Sequence, residues 1–302
     1  MALIAGPTAS GKSALALALA EQVGGVIVNA DSAQIYRDLP ILSAAPGPDE
    51  LARADHRLYG VLDGAQACSA AAWAEMTQRE IAEIHASGRT PILVGGTGLY
   101  LRTLLQGIAP VPAIDPEVRA KVRESSVREN RERLLELDPE AAERLKPADS
   151  ARIARALEVA LSTGKTLSDW QKQRVGGIAD EIELRPLMLL PPRERLYRRC
   201  DDRFAGMIEQ DAAREVQALI DRHLSPELPI MRAIGVREIA SLLNGDATRQ
   251  EAIAAGQQAT RRYAKRQYTW FAHQPPPEWP RFHQPLDEGI IPQALALLGA
   301  ND

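Results

Sequence analysis

One octapeptide near the start, GPTASGKS at 6–13, constrains this chain more than any other stretch. It fits G-x-x-x-x-G-K-[ST], a loop whose backbone N–H groups cradle phosphate oxygens. The motif carries that meaning only between a strand and a helix, and both flanks comply. ALIAG (2–6) is a short apolar run that reads as a buried parallel strand. SALALALAEQV (13–23) is rich in Ala and Leu and helical by propensity. GGVIVNADS then supplies a turn, a second β-branched strand and an acidic end. Strand, loop, helix, strand is a βαβ unit.

The later elements extend the same plan. Residues 37–50 read as a loop, and HRLYGVL (56–62) as a third strand. SAAAWAEMTQREIAEIHASG (69–88) is a helix with Ser69 as its N-cap. TPILVGGTGLY (90–100) is a buried strand that ends in a Gly-rich loop, and RPLMLLPP (185–192) is a last core strand closed by prolines. Between about 113 and 180 the texture changes to charged, amphipathic and strand-free. There DSARIARALEVALSTGK (149–165) is a helix with Asp149 or Ser150 as cap and Gly164 as stop. The tail from 193 is mostly helical, is broken by PPPEWP (275–280), and ends in the short helix IIPQALALLG. The fold expected is α/β: a P-loop NTPase-like parallel sheet flanked by helices, with an inserted all-helical domain. The core takes 1–112 and 180–302, and the insertion 113–179.

The chemistry follows from which residues reach the strand ends. Gly6, Pro7, Thr8, Ala9, Ser10, Gly11, Lys12 and Ser13 form the anion cradle, at a helix N-terminus that favours negative charge. Lys12 is placed to pair with phosphate oxygens and Ser13 to ligate Mg²⁺. A nucleotide hydrolase also needs an apolar strand ending in Asp to hold its metal. The natural strand, PILV, ends instead in Gly95-Gly96-Thr97-Gly98, so the loop is free to hold a diphosphate without a nucleotide. The strand-end acid is Asp31, in DSAQIYR. At the C-terminal end of a parallel strand it lies on the ligand-binding rim, where it can take a proton or hydrogen bond from an attacking group. An Asx turn or a helix cap explains the same Asp, and Gln34 and Tyr36 read equally as solvated or packing residues. Thr97 reaches the same rim, or serves only as the Thr of a tight strand-to-helix turn.

The 302 residues carry a net charge of −4, which argues weakly against a nucleic-acid partner. Charge is clustered, however. Arg261, Arg262, Lys265 and Arg266 fall within six residues, and Arg193, Arg195, Arg198 and Arg199 form a second group. On a helix, Gln258, Arg262, Lys265, Arg266 and Thr269 share a face, and cations there meet phosphates while Tyr263, Tyr268 and Trp270 pack or stack on bases. The plain alternative is a charged helix face in solvent. Cys68 and Cys200 lack metal-type spacing, no apolar run is long enough to span a membrane, and the first strand leaves no room for a targeting peptide. A cytoplasmic protein with free thiols is expected.

Taken in order, GPTASGKS, DSAQIYR, PILVGGTGLY, ARIARALEV followed by STGK, RAIGVREI and ATRRYAKRQYTWF resemble the tRNA dimethylallyltransferases, also called tRNA isopentenyltransferases, from about residue 4 to 271. The resemblance implies transfer of a dimethylallyl group from dimethylallyl diphosphate to N6 of the adenosine 3′-adjacent to the anticodon, in tRNAs reading codons that begin with U. The loop at 6–13 then holds the donor's diphosphate with Mg²⁺. Asp31 accepts a hydrogen bond or proton from N6, and Thr97 orients the reacting centre. The adenine must leave its stack to reach them. Asp31, Ser32, Ala33, Gln34, Thr97, Arg119, Arg152, Arg155, Arg232, Arg237, Lys265 and Arg266 match family positions that meet tRNA. Ala45, Asp55 and Ala272 depart from the family's usual Lys, His and Arg. No Cys/His zinc-finger extension is seen, so a bacterial-type enzyme is implied, acting as a monomer without an obligate protein partner.

Three rivals remain at this level. An adenylate isopentenyltransferase, acting on free AMP, ADP or ATP, shares core and donor but needs neither ARIAR nor the basic KRQYTWF helix. A small-molecule kinase of the shikimate-kinase type consumes ATP and is more compact. An RNA-binding GTPase-like module requires an N-K-x-D motif, which is absent.

Overall fold

The computed structural model describes residues 1–287 and 289–299. Six strands form one sheet: β1 (Ala2–Ala5), β2 (Val26–Asn29), β3 (Asp55–Arg57), β4 (Pro91–Gly95), β5 (Arg185–Leu189) and β6 (Arg281–Phe282). Their order is β3-β2-β4-β1-β5-β6, and every pairing is parallel. The helices are α1 (Lys12–Val23), α2 (Pro40–Ser43), α3 (Pro48–Arg53), α4 (Ala70–Ala86), α5 (Gly98–Gln106), α6 (Pro116–Glu124), α7 (Val127–Leu137), α8 (Pro139–Arg144), α9 (Ser150–Thr163), α10 (Leu167–Gln171), α11 (Arg193–Glu209), α12 (Ala212–Asp221), α13 (Val236–Leu243), α14 (Arg249–His273) and α15 (Ile291–Leu297).

Residues 1–104 and 179–302 make one compact unit, and 105–178 a second. The composition change places these junctions at 112/113 and 179/180. In the first unit β1, β2 and β4 are buried along their whole length. That is why they read as unbroken apolar runs rather than alternating ones. Ala2, Ile4, Ile27, Ile92, Leu187 and Leu189 share a core with Leu15, Leu19 and Leu295 of α1 and α15. The chain passes from β1 to β2 on one side of the sheet and from β4 to β5 on the other. The C-terminal end of β1 therefore faces a topological switch point, where open α/β sheets bind ligands.

The sheet departs from expectation at its edges. The third strand is only Asp55–Arg57, and an isolated parallel bridge joins Tyr36 to Leu62 further on. Asp55 pairs with Arg89, whose guanidinium also donates to the carbonyls of Gly24 (3.0 Å) and Gly25 (3.1 Å). This departure from the family pattern is thus a clasp at the edge of the sheet. The stretch 37–50, expected to be loop, holds α2 and α3, each started by a Pro in its first turn. A sixth strand, Arg281–Phe282, follows the proline run; two residues are too few to leave a period in the sequence.

Ser69 caps α4 as expected, accepting from Ala72 N at 3.1 Å. Trp73 on that helix is fully buried. Its Nε1 donates to Asn29 O (3.0 Å), and its ring stacks on Tyr100 at 4.7 Å. Trp73→Ala should destabilise the protein by about 3–5 kcal/mol, read as a lower denaturant midpoint at unchanged slope.

The second unit is helical because every helix in it has a side-chain cap. Asp115, Ser126, Asp138, Asp149 and Thr166 each accept a backbone N–H from the first turn. Val122, Leu134, Ile153 and Leu157 form its core, and Gly164 ends α9 at φ 67°. Ile108 and Val175 add one antiparallel bridge. Among the described residues, no helix is long and apolar enough to cross a membrane.

Candidate functional site

The loop 6–13 joins β1 to α1. Gly11 is the N-cap, at φ 98° and ψ 9°, a left-handed conformation that strains any residue with a Cβ. That turn presents the N-terminus of α1 to the rim. Lys12 Nζ donates to Pro7 O at 2.7 Å. Burial lowers the Lys12 pKa to about 8; Asp31 opposes the fall and Arg203 adds to it. Ser13 is exposed on the first turn, whereas Ser10 is 1% exposed and its hydroxyl has no hydrogen-bond partner among the described residues.

Asp31 follows β2 and is held from behind by Asn29, which is fully buried. Asn29 Oδ1 accepts from Asp31 N (2.7 Å), and Asn29 Nδ2 donates to Asp31 O (3.1 Å) and Leu58 O (2.9 Å). Asp31 Oδ1 accepts from Ala33 N at 3.0 Å, so the Asx turn read from the sequence does form. One carboxylate oxygen therefore serves the turn. Thr97 follows β4, and its Oγ1 accepts from Ser32 N at 3.0 Å. Ser32 thus joins the DSAQ turn to the GGTG loop.

Two cavities meet at this rim. One, of about 990 Å³, runs along the loop past Lys12, Ser13, Gln34, Ala45, Arg199 and Arg203. The other, of about 500 Å³, is walled by Tyr36, Leu42, Tyr100, Phe204, Met207 and Ile230. Thr8, Asp31 and Arg203 line both. The first brings Lys12, Arg199 and Arg203 beside the loop at the α1 N-terminus, with Asp31, Glu50 and Asp202 also on its wall; the second is largely apolar with a few convergent polar groups, as small-molecule sites are. Arg203 donates to Thr8 Oγ1, and burial lowers its pKa.

The other residues singled out in the sequence divide into groups. Gln34 Nε2 donates to Ser43 O (3.1 Å) and Ala44 O (2.6 Å), fixing the end of α2, and Ala33 lines the apolar cavity. Tyr36 is 3% exposed and takes the packing role read for it, its hydroxyl accepting from Cys68 N. Arg232 and Arg266 line the apolar cavity; Arg232 also pairs with Glu227, and Arg266 lies over the Tyr263 ring. Lys265 and Arg237 are exposed on α14 and α13. The basic run on α14 is not one patch, because Arg261 turns to Asp201 of α11. Arg119, Arg152 and Arg155 belong to the second unit. There Arg155 neighbours Arg119 and Arg123 around Glu158, which is 1% exposed, while Arg152 pairs with Asp149 at 3.3 Å.

Sequence reasoning did not bring four residues to the rim. Arg199 and Arg203 are four apart on α11, so one face of that helix brings both to the loop cavity. Tyr263 and Gln267 are likewise four apart on α14; Tyr263 lines the apolar cavity with Asp31 and Thr97, and Gln267 bonds Thr8 N and Gly96 O. Helical spacing was the available signal; what it lacked was the face.

Residues 34–274 match the family model described as IPP transferase. The chain is 60% identical over 292 residues to a tRNA dimethylallyltransferase of Sphingopyxis alaskensis, covering 96% of this chain and 95% of that one. It is 59% identical to the enzyme of that name from Erythrobacter litoralis, over 93% and 90% of the two chains. Among solved structures, a eukaryotic dimethylallyltransferase acting on tRNA superposes with a TM-score of 0.78 at 28% identity, covering 89% of this chain and 69% of that one. The tRNA isopentenylpyrophosphate transferase of Bacillus halodurans gives 0.69 at 29% identity over 99% and 96%. With the P-loop NTPase-like sheet of those proteins and their sequence along nearly its whole length, the chain belongs to the IPP transferase family.

Proposed function

We propose that this protein is a tRNA dimethylallyltransferase that moves the dimethylallyl group of dimethylallyl diphosphate to N6 of the adenosine 3′-adjacent to the anticodon, in tRNAs reading UNN codons. The carrying observation is that the cavity along the phosphate loop, with Lys12, Arg199 and Arg203 on its wall, meets an apolar cavity at Asp31, Thr8 and Arg203. A donor with a diphosphate head and a five-carbon tail needs both environments side by side, and the acceptor amine must enter where they meet. The cations Arg232 and Arg266 at the apolar cavity, and exposed Lys265 and Arg237, favour a polyanionic acceptor over free AMP.

In the reaction the N6–C1 bond forms as the C1–O bond to the diphosphate breaks, and N6 gives up a proton. Asp31 is placed to take that proton. Thr97 holds the turn that carries Asp31 through its bond to Ser32 N. Lys12, Arg199 and Arg203 stabilise charge that grows on the leaving diphosphate. Backbone N–H groups of the loop not already engaged, at the N-terminus of α1, hold its oxygens. The donor set also fits Mg²⁺. Ser13 Oγ is a hard oxygen donor, and no cluster of three or more His, Cys, Asp or Glu is placed to hold a metal among the described residues. Ser13 would hold Mg²⁺ beside the donor, and the ion would supply charge neutralisation on the diphosphate. The protein acts as a monomer in the cytoplasm.

The test is transfer of label from dimethylallyl diphosphate, with Mg²⁺, to total tRNA or to AMP. Label in tRNA alone is expected; label in AMP, or turnover of ATP, overturns the reading. Lys265→Ala should weaken tRNA binding and lower the slope of log K against log salt by about 0.7–0.9, the value of one phosphate contact. Filter binding at several salt concentrations checks it.

A further inference from the structure

The loop that faces the donor and the loop that carries Thr97 are tied together by one side chain from neither. Gln267 lies on α14 and is 5% exposed. Its Oε1 accepts from Thr8 N at 2.8 Å, and its Nε2 donates to Gly96 O at 2.8 Å. Both ends are fixed by chemistry: a backbone N–H can only donate and a carbonyl can only accept, so the amide has one self-consistent orientation. The fit is close. A Cβ on Gly96 would stand 2.3 Å from Gln267 Nε2, and one on Gly98 2.4 Å from the Trp270 ring one helical turn later. Tyr263, one turn earlier, lines the apolar cavity together with Thr97. Meanwhile Lys265 and Arg266 on the same turn of α14 are exposed.

From this geometry we propose that Gln267 is a positioning residue: it holds the Thr8 and Gly96 loops in one frame, so that donor carbon and acceptor nitrogen meet in line. The inference rests on the transferase reading above. Gln267 is covered by protein on both sides, and it acts through Thr8 and through Gly96 and Thr97. Its loss leaves the charges of the anion cradle and the exposed cations of α14 in place. Binding of either partner is therefore nearly retained while their mutual alignment is lost. Alignment is the more demanding requirement, because a displacement near 1 Å is worth about 100-fold in rate.

The test uses the full chain with Gln267→Met, which removes both hydrogen bonds at similar volume, and Gln267→Glu, which keeps an acceptor for Thr8 N but loses the donor to Gly96 O. Thermal melting, the Kd of inorganic diphosphate, and kcat and KM with tRNA are measured for each. Gln267→Met is expected to melt cooperatively, to bind diphosphate and tRNA within about threefold of the parent protein, and to lose at least about 30-fold in kcat. Gln267→Glu should also lose kcat with KM retained. A kcat within about threefold of the parent in both variants overturns the proposal, as does a loss found wholly in KM or in the folded fraction. If Gln267→Met does not fold, Gly96→Ala, which pushes on the same amide from the other side, must show the kcat-only defect or the proposal falls. Should the unaltered protein fail to label tRNA, the transferase reading itself is wrong, a result distinct from any of these.

Discussion

Replacing Asp31 with Asn lowers the rate of transfer to tRNA by about 10²–10⁴, the usual contribution of a positioned general base. The substitution is chosen for what it preserves. Asp31 Oδ1 accepts from Ala33 N, and an amide oxygen in the same place keeps that bond and the turn it closes. The backbone of residue 31 remains clasped by Asn29. What is lost is the capacity to take a proton from N6. Tight tRNA and diphosphate binding with a collapsed kcat is thus the expected pattern. Single-turnover transfer of labelled donor, alongside binding of both substrates, measures it. If the Asp31→Asn variant transfers within about tenfold of the parent, Asp31 returns to the purely structural role that its Asx turn permits.

Lys12→Met is expected to cost about 10²–10³ in kcat, the scale for losing one preorganised donor to developing negative charge. It should also alter the pH dependence of diphosphate binding. Burial holds the Lys12 pKa at about 8, below the 10.5 of a free lysine. The sign follows directly. The charged form binds the anion, and in the free protein it disappears as pH rises through about 8. Bound diphosphate favours the ammonium and raises its pKa, so binding near pH 8 takes up a proton. Affinity therefore falls above about pH 8, by up to about tenfold per pH unit, the limiting slope for one coupled proton. In Lys12→Met that limb is absent, and affinity is lower at about pH 7. The ligand's own ionisation is common to both proteins, so the difference between the two curves isolates Lys12. Calorimetry in buffers of different ionisation enthalpy reads the proton directly.

Lys12 lies on the anion side of the junction and Asp31 at the junction itself, and the chain prepares its two sides differently. The anion side is local. A strand, a left-handed glycine and a helix start build it from consecutive residues, so a short motif was enough to read it. Asp31 and Thr97 were also legible, because each ends a strand, and strand ends in a parallel sheet share a rim. The apolar side is assembled from α2, α4, α5, α11, α14 and the segment before α13. Its residues, such as Leu42, Met207 and Ile230, are far apart in sequence and look like ordinary core.

The same division explains the cations. Four basic residues crowd into 261–266, and the periodicity of a helix puts Lys265 and Arg266 toward one side. Only packing against α11 reveals that Arg261 is spent on Asp201. Arg199, by contrast, was legible only as one of a second basic cluster and Arg203 not at all, yet both line the cavity along the loop. A helix period states which residues share a face but not what that face meets.

The sequence by itself determined the parallel α/β core, the diphosphate loop, the two strand-end residues and the family. Each is encoded by contiguous apolar runs, by local turn stereochemistry or by motif order. Tertiary structure decided how the cleft divides, which arginines line it, and that Gln267 joins two loops that lie far from each other, and from itself, along the chain. These depend on the docking of α11 and α14 against the strand ends. Such docking arises from many small contacts between distant residues, and no short stretch of chain records it.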